Sequence, residues 1–100
     1  MQSTALAGLL RELRSERGVS LRDAARSINV DPSYLSRVER GVKISSAEVR
    51  ERAANFYRIP TEVLALADGV VPADIVRILQ RHPELVDRIR TEFADATPSR

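Results

Sequence analysis

The stretch GVSLRDAARSINVDPSYLSRVERG, residues 18–41, decides the fold of this chain of 100 residues. It contains two short runs with helical spacing, and each follows a residue that commonly caps helices, Ser20 for the first and Asp31 for the second. Asn29 closes the first run because it tolerates the left-handed backbone conformation that a tight turn needs. Pro32 suits the first position of a helix, where its missing N–H costs little. The stretch therefore predicts two short helices joined by a tight turn.

Helical spacing continues on both sides of this stretch, and no long alternating strand pattern occurs. We therefore expect an all-α fold of seven helices, five of them in a compact bundle and two in a C-terminal extension. We divide the chain into residues 1–69, which hold the bundle, and residues 70–100, which form the extension, because the two parts are expected to differ in role. The flanking helices are predicted over 4–17, from Ser45 or Ser46 to Tyr57 with capping-box spacing between Ser45 and Glu48, over 62–67 after a Thr61 cap, and from Pro72 and Pro83 onward.

Composition excludes several classes of protein. The sequence has no cysteine, which excludes disulfides and thiolate metal sites and agrees with a cytoplasmic location. It has no apolar run long enough to span a bilayer, and its first residues lack the pattern of a signal peptide, so no membrane association is expected. No nucleophile, base or metal cluster suggests catalysis, so the chain is not expected to be an enzyme or to need a cofactor. The lone His82 is more typical of a helix end than of a metal site.

Charge is distributed unevenly along the chain. Residues 1–60 carry 11 basic and 7 acidic side chains, whereas residues 61–100 carry 5 and 7. Fifteen of the sixteen cations are arginines, and the exception is Lys43. Arginine pairs in bidentate fashion with phosphate and with guanine edges, although a GC-rich genome would raise its frequency too. The pattern favours a nucleic-acid-facing first half and a partner-facing second half.

LRELRSERGVSLRDAARSINVDPSYLSRVERG and the later SSAEVRERAANFYRIPTEVLAL together resemble the Cro-like, or XRE-type, helix-turn-helix regulators. The resemblance covers about residues 5–67. It implies a five-helix, lambda-repressor-like bundle that reads a DNA major groove with the helix at about 32–40. The function implied is a sequence-specific DNA-binding transcriptional regulator, acting as a repressor. The alternatives are an antitoxin-like protein that binds DNA and a toxin, and an interaction module that does not bind DNA.

The resemblance also implies individual roles. It predicts base contacts from four residues, phosphate contacts at the start of the helix after Ser20 and at Arg40, and an internal ion pair between Arg14 and Glu39. The base-contact positions are Pro32, Ser33, Arg37 and Lys43, and the phosphate-contact positions are Ser20, Leu21, Tyr34, Ser36 and Arg40.

Some of these roles have bland alternatives. Leu21 stands where the family often has Gln, and Pro32 stands where an amide side chain often reads bases, so Ser33 and Arg37 must carry more of the readout. Arg37 could instead be solvated or pair with Asp31 or Glu39. Tyr34 could pack on the scaffold instead of contacting the DNA backbone.

Apolar side chains recur through the two extension helices. We expect Leu79, Leu85, Val86, Ile89 and Phe93 to form a homodimer surface, because helix-turn-helix proteins bind near-palindromic sites as two-fold dimers. The alternative is that these side chains only cap the five-helix core.

Overall fold

The computed structural model describes residues 4–94, which contain seven α-helices and no strand. The predicted all-α fold is therefore confirmed. The helices are α1 (Thr4–Arg17), α2 (Leu21–Ile28), α3 (Pro32–Glu39), α4 (Ala47–Tyr57), α5 (Thr61–Ala67), α6 (Ala73–Arg81) and α7 (Glu84–Glu92).

The turn between α2 and α3 forms as the sequence predicts. The hydroxyl of Ser20 accepts a hydrogen bond from the Asp23 N–H at 3.0 Å, which satisfies one of the orphan donors of the first turn of α2. Asn29 ends α2 in the left-handed conformation, with φ 66°. Pro32 is the first residue of α3, and Asp31 holds the N-cap position without a capping hydrogen bond from its side chain. The two short helices are thus joined by a tight turn.

Several cap predictions were wrong. Ser46 caps α4 and accepts a hydrogen bond from the Val49 N–H at 3.1 Å, so the capping box expected from Ser45 does not form. Ser45 is buried instead. Thr61 is the first residue of α5, and Pro60, which has no N–H of its own, is its N-cap. Pro72 and Pro83 likewise sit at N-cap positions of their helices.

The chain divides into two compact units, one ending at Val70 and the other beginning at Val71. The first unit holds α1 to α5 around a core of aliphatic side chains and one tyrosine. The larger cluster of buried residues is Leu6, Leu10, Ile28, Val38, Ala53, Ala54, Tyr57 and Leu64, and the smaller cluster is Ala24, Ala25 and Leu35. The small side chains of Ala24 and Ala25 are fully buried, which permits the close packing of α2 and α3 on the scaffold.

Candidate nucleic-acid interface

Helix α3 has a buried face and an exposed face. Leu35, Val38 and Glu39 are buried, and they attach the helix to the rest of the first unit. The exposed residues of α3 and of its C-cap are Pro32, Ser33, Arg37 and Arg40, with Tyr34 and Ser36 half-buried between the two faces. A short helix fixed from behind, with small polar and cationic side chains in front, fits a groove about 12 Å wide.

The two arginines of this exposed face keep their donors available. Neither Arg37 nor Arg40 makes a side-chain hydrogen bond or ion pair within residues 4–94, whereas Glu39 faces inward to Arg14. The alternative in which Arg37 pairs with Asp31 or Glu39 is therefore wrong for this structure. An arginine presents five N–H donors in a planar fork, which matches the acceptor edge of guanine or a phosphate.

The start of α2 lies at the end of that helix away from the tight turn. Ser20 is exposed, while Leu21 is half-buried and packs against the cluster of Ala24, Ala25 and Leu35. The Leu21 side chain is thus part of the scaffold. What remains for a phosphate is the backbone N–H of the first turn, where the helix dipole favours an anion.

The loop after α3 supplies the one lysine of the sequence. Gly41 turns the chain with φ 78°, a conformation that an L side chain rarely adopts, and Lys43 follows on the surface. The Lys43 ammonium lies 5.9 Å from the centroid of the Tyr34 ring. The loop therefore returns a cation to the flank of α3. Tyr34 itself packs partly against the larger core cluster, so its ring is held by the scaffold.

The predicted partners Arg14 and Glu39 meet behind α3. The Arg14 Nε donates to both carboxylate oxygens of Glu39, at 3.0 and 3.2 Å, and the side chains are 26% and 5% exposed. Arg14 also donates to the Val19 carbonyl at 3.3 Å, and Arg11 donates to the Glu39 carbonyl. The side chain and the backbone carbonyl of Glu39, the last buried residue of α3, are thus both bonded to α1.

Tyr57 is coupled electrostatically to this ion pair. Burial, and then the charge of Glu39, raises the pKa of the Tyr57 phenol, while Arg14 and Arg17 act in the opposite direction. The phenol therefore stays neutral at ordinary pH and packs as part of the core.

Two arginines of α4 have roles that sequence reasoning missed. The Arg52 Nε donates to the Ile28 carbonyl at 2.7 Å, and so satisfies the C-terminal end of α2 from a neighbouring helix. Arg50 donates to the Ser45 carbonyl at 3.1 Å and to Asp68 at 2.8 Å, with side chains of Arg50 and Asp68 that are 11% and 7% exposed. No sequence signal distinguishes these arginines from solvated ones, because their acceptors are backbone carbonyls and a distant aspartate.

The second unit differs from the first in the burial of its side chains. No residue of α6 or α7 is buried, although the two helices contact each other. Among the predicted dimer residues, Leu79 and Leu85 are half-buried, and Val86, Ile89 and Phe93 are exposed. Ile75, Val76 and Ile78 of α6 are exposed too.

Within residues 4–94 no group of three or more potential ligands could hold a metal ion. The lone His82 is exposed and lies 3.4 Å from Glu84. None of the helices described is both long and apolar enough to cross a membrane.

Comparison with known proteins agrees with this geometry. The family model described as a helix-turn-helix domain matches residues 5–67. The chain therefore belongs to this helix-turn-helix family, as the resemblance of its sequence suggested.

Two curated relatives match the same part of the chain. One is the HTH-type transcriptional regulator DdrOP3 of Deinococcus deserti, 44% identical over 61 residues, or 61% of this chain and 46% of the relative. Another is the uncharacterized HTH-type transcriptional regulator Rv0474 of Mycobacterium tuberculosis, 37% identical over 62 residues, or 62% of this chain and 44% of the relative. The chain thus matches less than half the length of these relatives.

Solved structures of the clp gene regulator ClgR of Corynebacterium glutamicum are similar in fold. One matches with a TM-score of 0.59 and 30% identity over 69% of this chain and 90% of that chain. A second matches with a TM-score of 0.61 and 28% identity over 90% of both chains. These relatives are named as regulators rather than enzymes, which agrees with the expectation that the chain is not an enzyme.

Proposed function

We propose that the chain is a sequence-specific DNA-binding transcriptional regulator that inserts α3 into the major groove. The observation that carries this proposal is the exposed face of α3, where Arg37 and Arg40 keep their guanidinium donors free while Glu39 on the opposite face is neutralised by Arg14. A surface that presents cations and sequesters the carboxylate suits a polyanion with acceptor-rich base edges. The family and its named regulators support the same function.

The proposed contacts are those that the family resemblance implies, and they are supported by the exposure of Ser20, Ser33, Arg37, Arg40 and Lys43. Arg37 and Ser33 read base edges, Pro32 offers only an apolar contact to a thymine methyl, and Lys43 contributes from the loop. The phosphate ligands are the hydroxyls of Ser20, Ser36 and Tyr34, the N–H of Leu21 and the guanidinium of Arg40. The base contacts set specificity, and the phosphate contacts set affinity and register.

The regulator acts as a homodimer on a near-palindromic operator. A single α3 covers one half-site, and two-fold dimers place a second one about one DNA turn away. The exposed Val86, Ile89 and Phe93 of α7 supply apolar surface for a second copy, with Leu79 and Leu85 beside them. By occupying a promoter the dimer would repress, and this role places it with the DNA in the cytoplasm.

The test begins with selection from random double-stranded DNA, followed by electrophoretic mobility shifts on the selected sequence and on unrelated DNA. Arg37→Ala is expected to cost roughly 1–3 kcal/mol on the selected sequence and to relax specificity at one base pair. Arg40→Ala is expected to weaken all sequences alike. For a dimer with about four phosphate contacts per subunit, the log–log salt slope is expected near −7.

Arg77→Ala is the matched control. It removes the same charge from an exposed position of α6, outside the helix-turn-helix. Equal losses for Arg37→Ala on selected and unrelated DNA would show that Arg37 does not read bases. The absence of any enriched sequence, together with no binding of unrelated DNA at low salt, would overturn the proposed function and favour an interaction module.

A further inference from the structure

We infer that the ring of Tyr34 is a platform that positions Lys43 for DNA, a role separate from any contact of the Tyr34 hydroxyl with phosphate. The inference rests on the proposed DNA binding and adds to it a positioning residue. Its observation is the Lys43 ammonium, 5.9 Å from the ring centroid and within the range of a cation–π contact.

The ring is fixed on its other side. Tyr34 lies in α3 and packs partly against the larger core cluster, so the scaffold sets the orientation of the ring. Lys43 follows Gly41 in the loop and is exposed. No carboxylate lies within ion-pair distance of Lys43 in residues 4–94, and the ring is thus the partner that the structure gives its ammonium.

The contact between Lys43 and the Tyr34 ring can affect DNA binding because of its position on α3. Tyr34 and Arg37 are three residues apart on one helix and are therefore neighbours on its surface. A lysine has a long, freely rotating stem, and a fixed position before binding reduces the rotamer freedom that it loses on the DNA. The Lys43 side chain is thus held on the flank of α3 beside Arg37, instead of sampling many conformations around the loop.

The effect of the platform is bounded by the size of an exposed cation–π contact, which corresponds to about a two- to fivefold change in affinity. We expect Tyr34→Leu to weaken operator binding by that factor at each half-site. Tyr34→Phe loses the proposed phosphate contact of the hydroxyl but keeps the ring, so the cost of Lys43→Ala is expected to be the same in it as in the unchanged protein. Lys43→Ala is expected to make the salt slope less steep by about 2, because each subunit of the dimer loses one cation. In the Tyr34→Leu background, Lys43→Ala is expected to cost less than it does alone.

Arg40→Ala gives the control cycle, because Arg40 makes no ring contact with Tyr34 in the described part of the chain. Its effect is expected to be the same in both Tyr34 backgrounds. Tyr34→Leu also removes core packing, so the melting temperature of each variant is measured and binding is compared well below it. If Tyr34 had only a structural role, Tyr34→Leu would reduce the effects of Arg40→Ala and Lys43→Ala on operator binding by similar amounts.

A second readout needs no DNA. The side-chain methylene protons of Lys43 nearest the ammonium are expected to be shifted upfield by the ring current in the free protein, and to return to ordinary positions in Tyr34→Leu. If the cost of Lys43→Ala fell in Tyr34→Phe as much as in Tyr34→Leu, the coupling would belong to the hydroxyl and the platform would be overturned. Additive losses in the cycle would overturn it too, whereas failure of the unchanged protein to bind any DNA would refute the proposed function itself.

Discussion

The two units of this chain use arginine and apolar side chains in opposite ways. In the first unit, Arg14, Arg50 and Arg52 reach across between elements to a buried carboxylate, a buried aspartate and the carbonyl end of α2. In the second unit, as far as residue 94, the arginine ion pairs are local ones between exposed side chains, Arg88–Glu92 and Arg90–Asp87. The first unit has local pairs as well, Arg26–Asp23 and Arg52–Glu48. The first unit buries a core of aliphatic side chains, although Val42, Ile44, Val63, Leu66 and Val70 are exposed, while α6 and α7 bury none completely.

The contrast separates two requirements of a DNA reader. The reading helix must be held rigidly, since a small displacement spoils several hydrogen bonds at once, and buried ion pairs with satisfied donors supply that rigidity. A dimer surface must instead keep apolar area free until a second copy arrives. The following experiments test whether each unit has the property that this comparison assigns to it.

The largest expected effect is the loss of the buried carboxylate behind α3. Glu39→Ala leaves Arg14 without its partner, and we expect a cost of about 3 kcal/mol, at the low end for a buried pair because Arg14 keeps some contact with solvent. Chemical denaturation with a fluorescent or circular dichroism readout measures it. Since 1 kcal/mol shifts the melting temperature of a domain this size by about 4–8 °C, the change is easily seen.

Glu92→Ala is the matched control in the second unit. Its pair with Arg88 is exposed on both sides, so the expected change is within about 0.5 kcal/mol. Similar losses for Glu39→Ala and Glu92→Ala would contradict the distinction between the two units.

The next effect concerns the apolar side chains of α7. Ile89 and Phe93 are 51% and 58% exposed, and replacing both with Asp places charge in the proposed dimer surface. We expect a monomer by light scattering, an unchanged helical content, and operator affinity lower by about 100-fold because the second half-site is no longer linked to the first. The double variant remaining a dimer with full affinity would show that these residues only cover their own chain.

A smaller effect is confined to alkaline pH. Because the folded state raises the pKa of Tyr57 above its ordinary value of 10.0, the stability from the neutral phenol is complete below about pH 10 and is lost as the pH rises through the folded-state pKa. Tyr57→Phe cannot ionise at this position, so its free energy of unfolding is expected to fall less steeply above pH 10. Parallel pH profiles for the two proteins would show that Tyr57 does not contribute to alkaline unfolding.

Much of the fold follows from local sequence signals. Ser20, Asn29 and Pro32 act within a few residues of where they stand, so their patterns predict the α2–α3 turn correctly. The Arg14–Glu39 pairing came from the family resemblance rather than from spacing. Its two residues are 25 positions apart, and no local rule joins them.

The failures share a physical cause. Arg50 and Arg52 receive no role from the sequence, because a sequence does not show that their partners are Asp68 and the end of α2. The phosphate contact at Leu21 stays a prediction for its backbone N–H, but the sequence did not show that its half-buried side chain packs against Ala24, Ala25 and Leu35. Tertiary packing determines the contacts of each of these side chains. It also determines which of the adjacent residues Ser45 and Ser46 caps α4.

That choice between Ser45 and Ser46 yields the smallest expected effects, and they have opposite signs. The Ser46 hydroxyl accepts the Val49 N–H, so Ser46→Ala removes a cap and is expected to cost about 1 kcal/mol of stability. The Ser45 hydroxyl is buried and has no hydrogen-bond partner among the described residues, so Ser45→Ala removes a polar group that lost its water on folding. We expect this variant to gain about 1 kcal/mol. The Ser45 carbonyl, which accepts from Arg50, is unaffected by either change. Thermal denaturation of both variants beside the unchanged protein measures the pair. If Ser45→Ala destabilised as much as Ser46→Ala, the Ser45 hydroxyl would have a partner in solution, and the cap would be shared between the two serines.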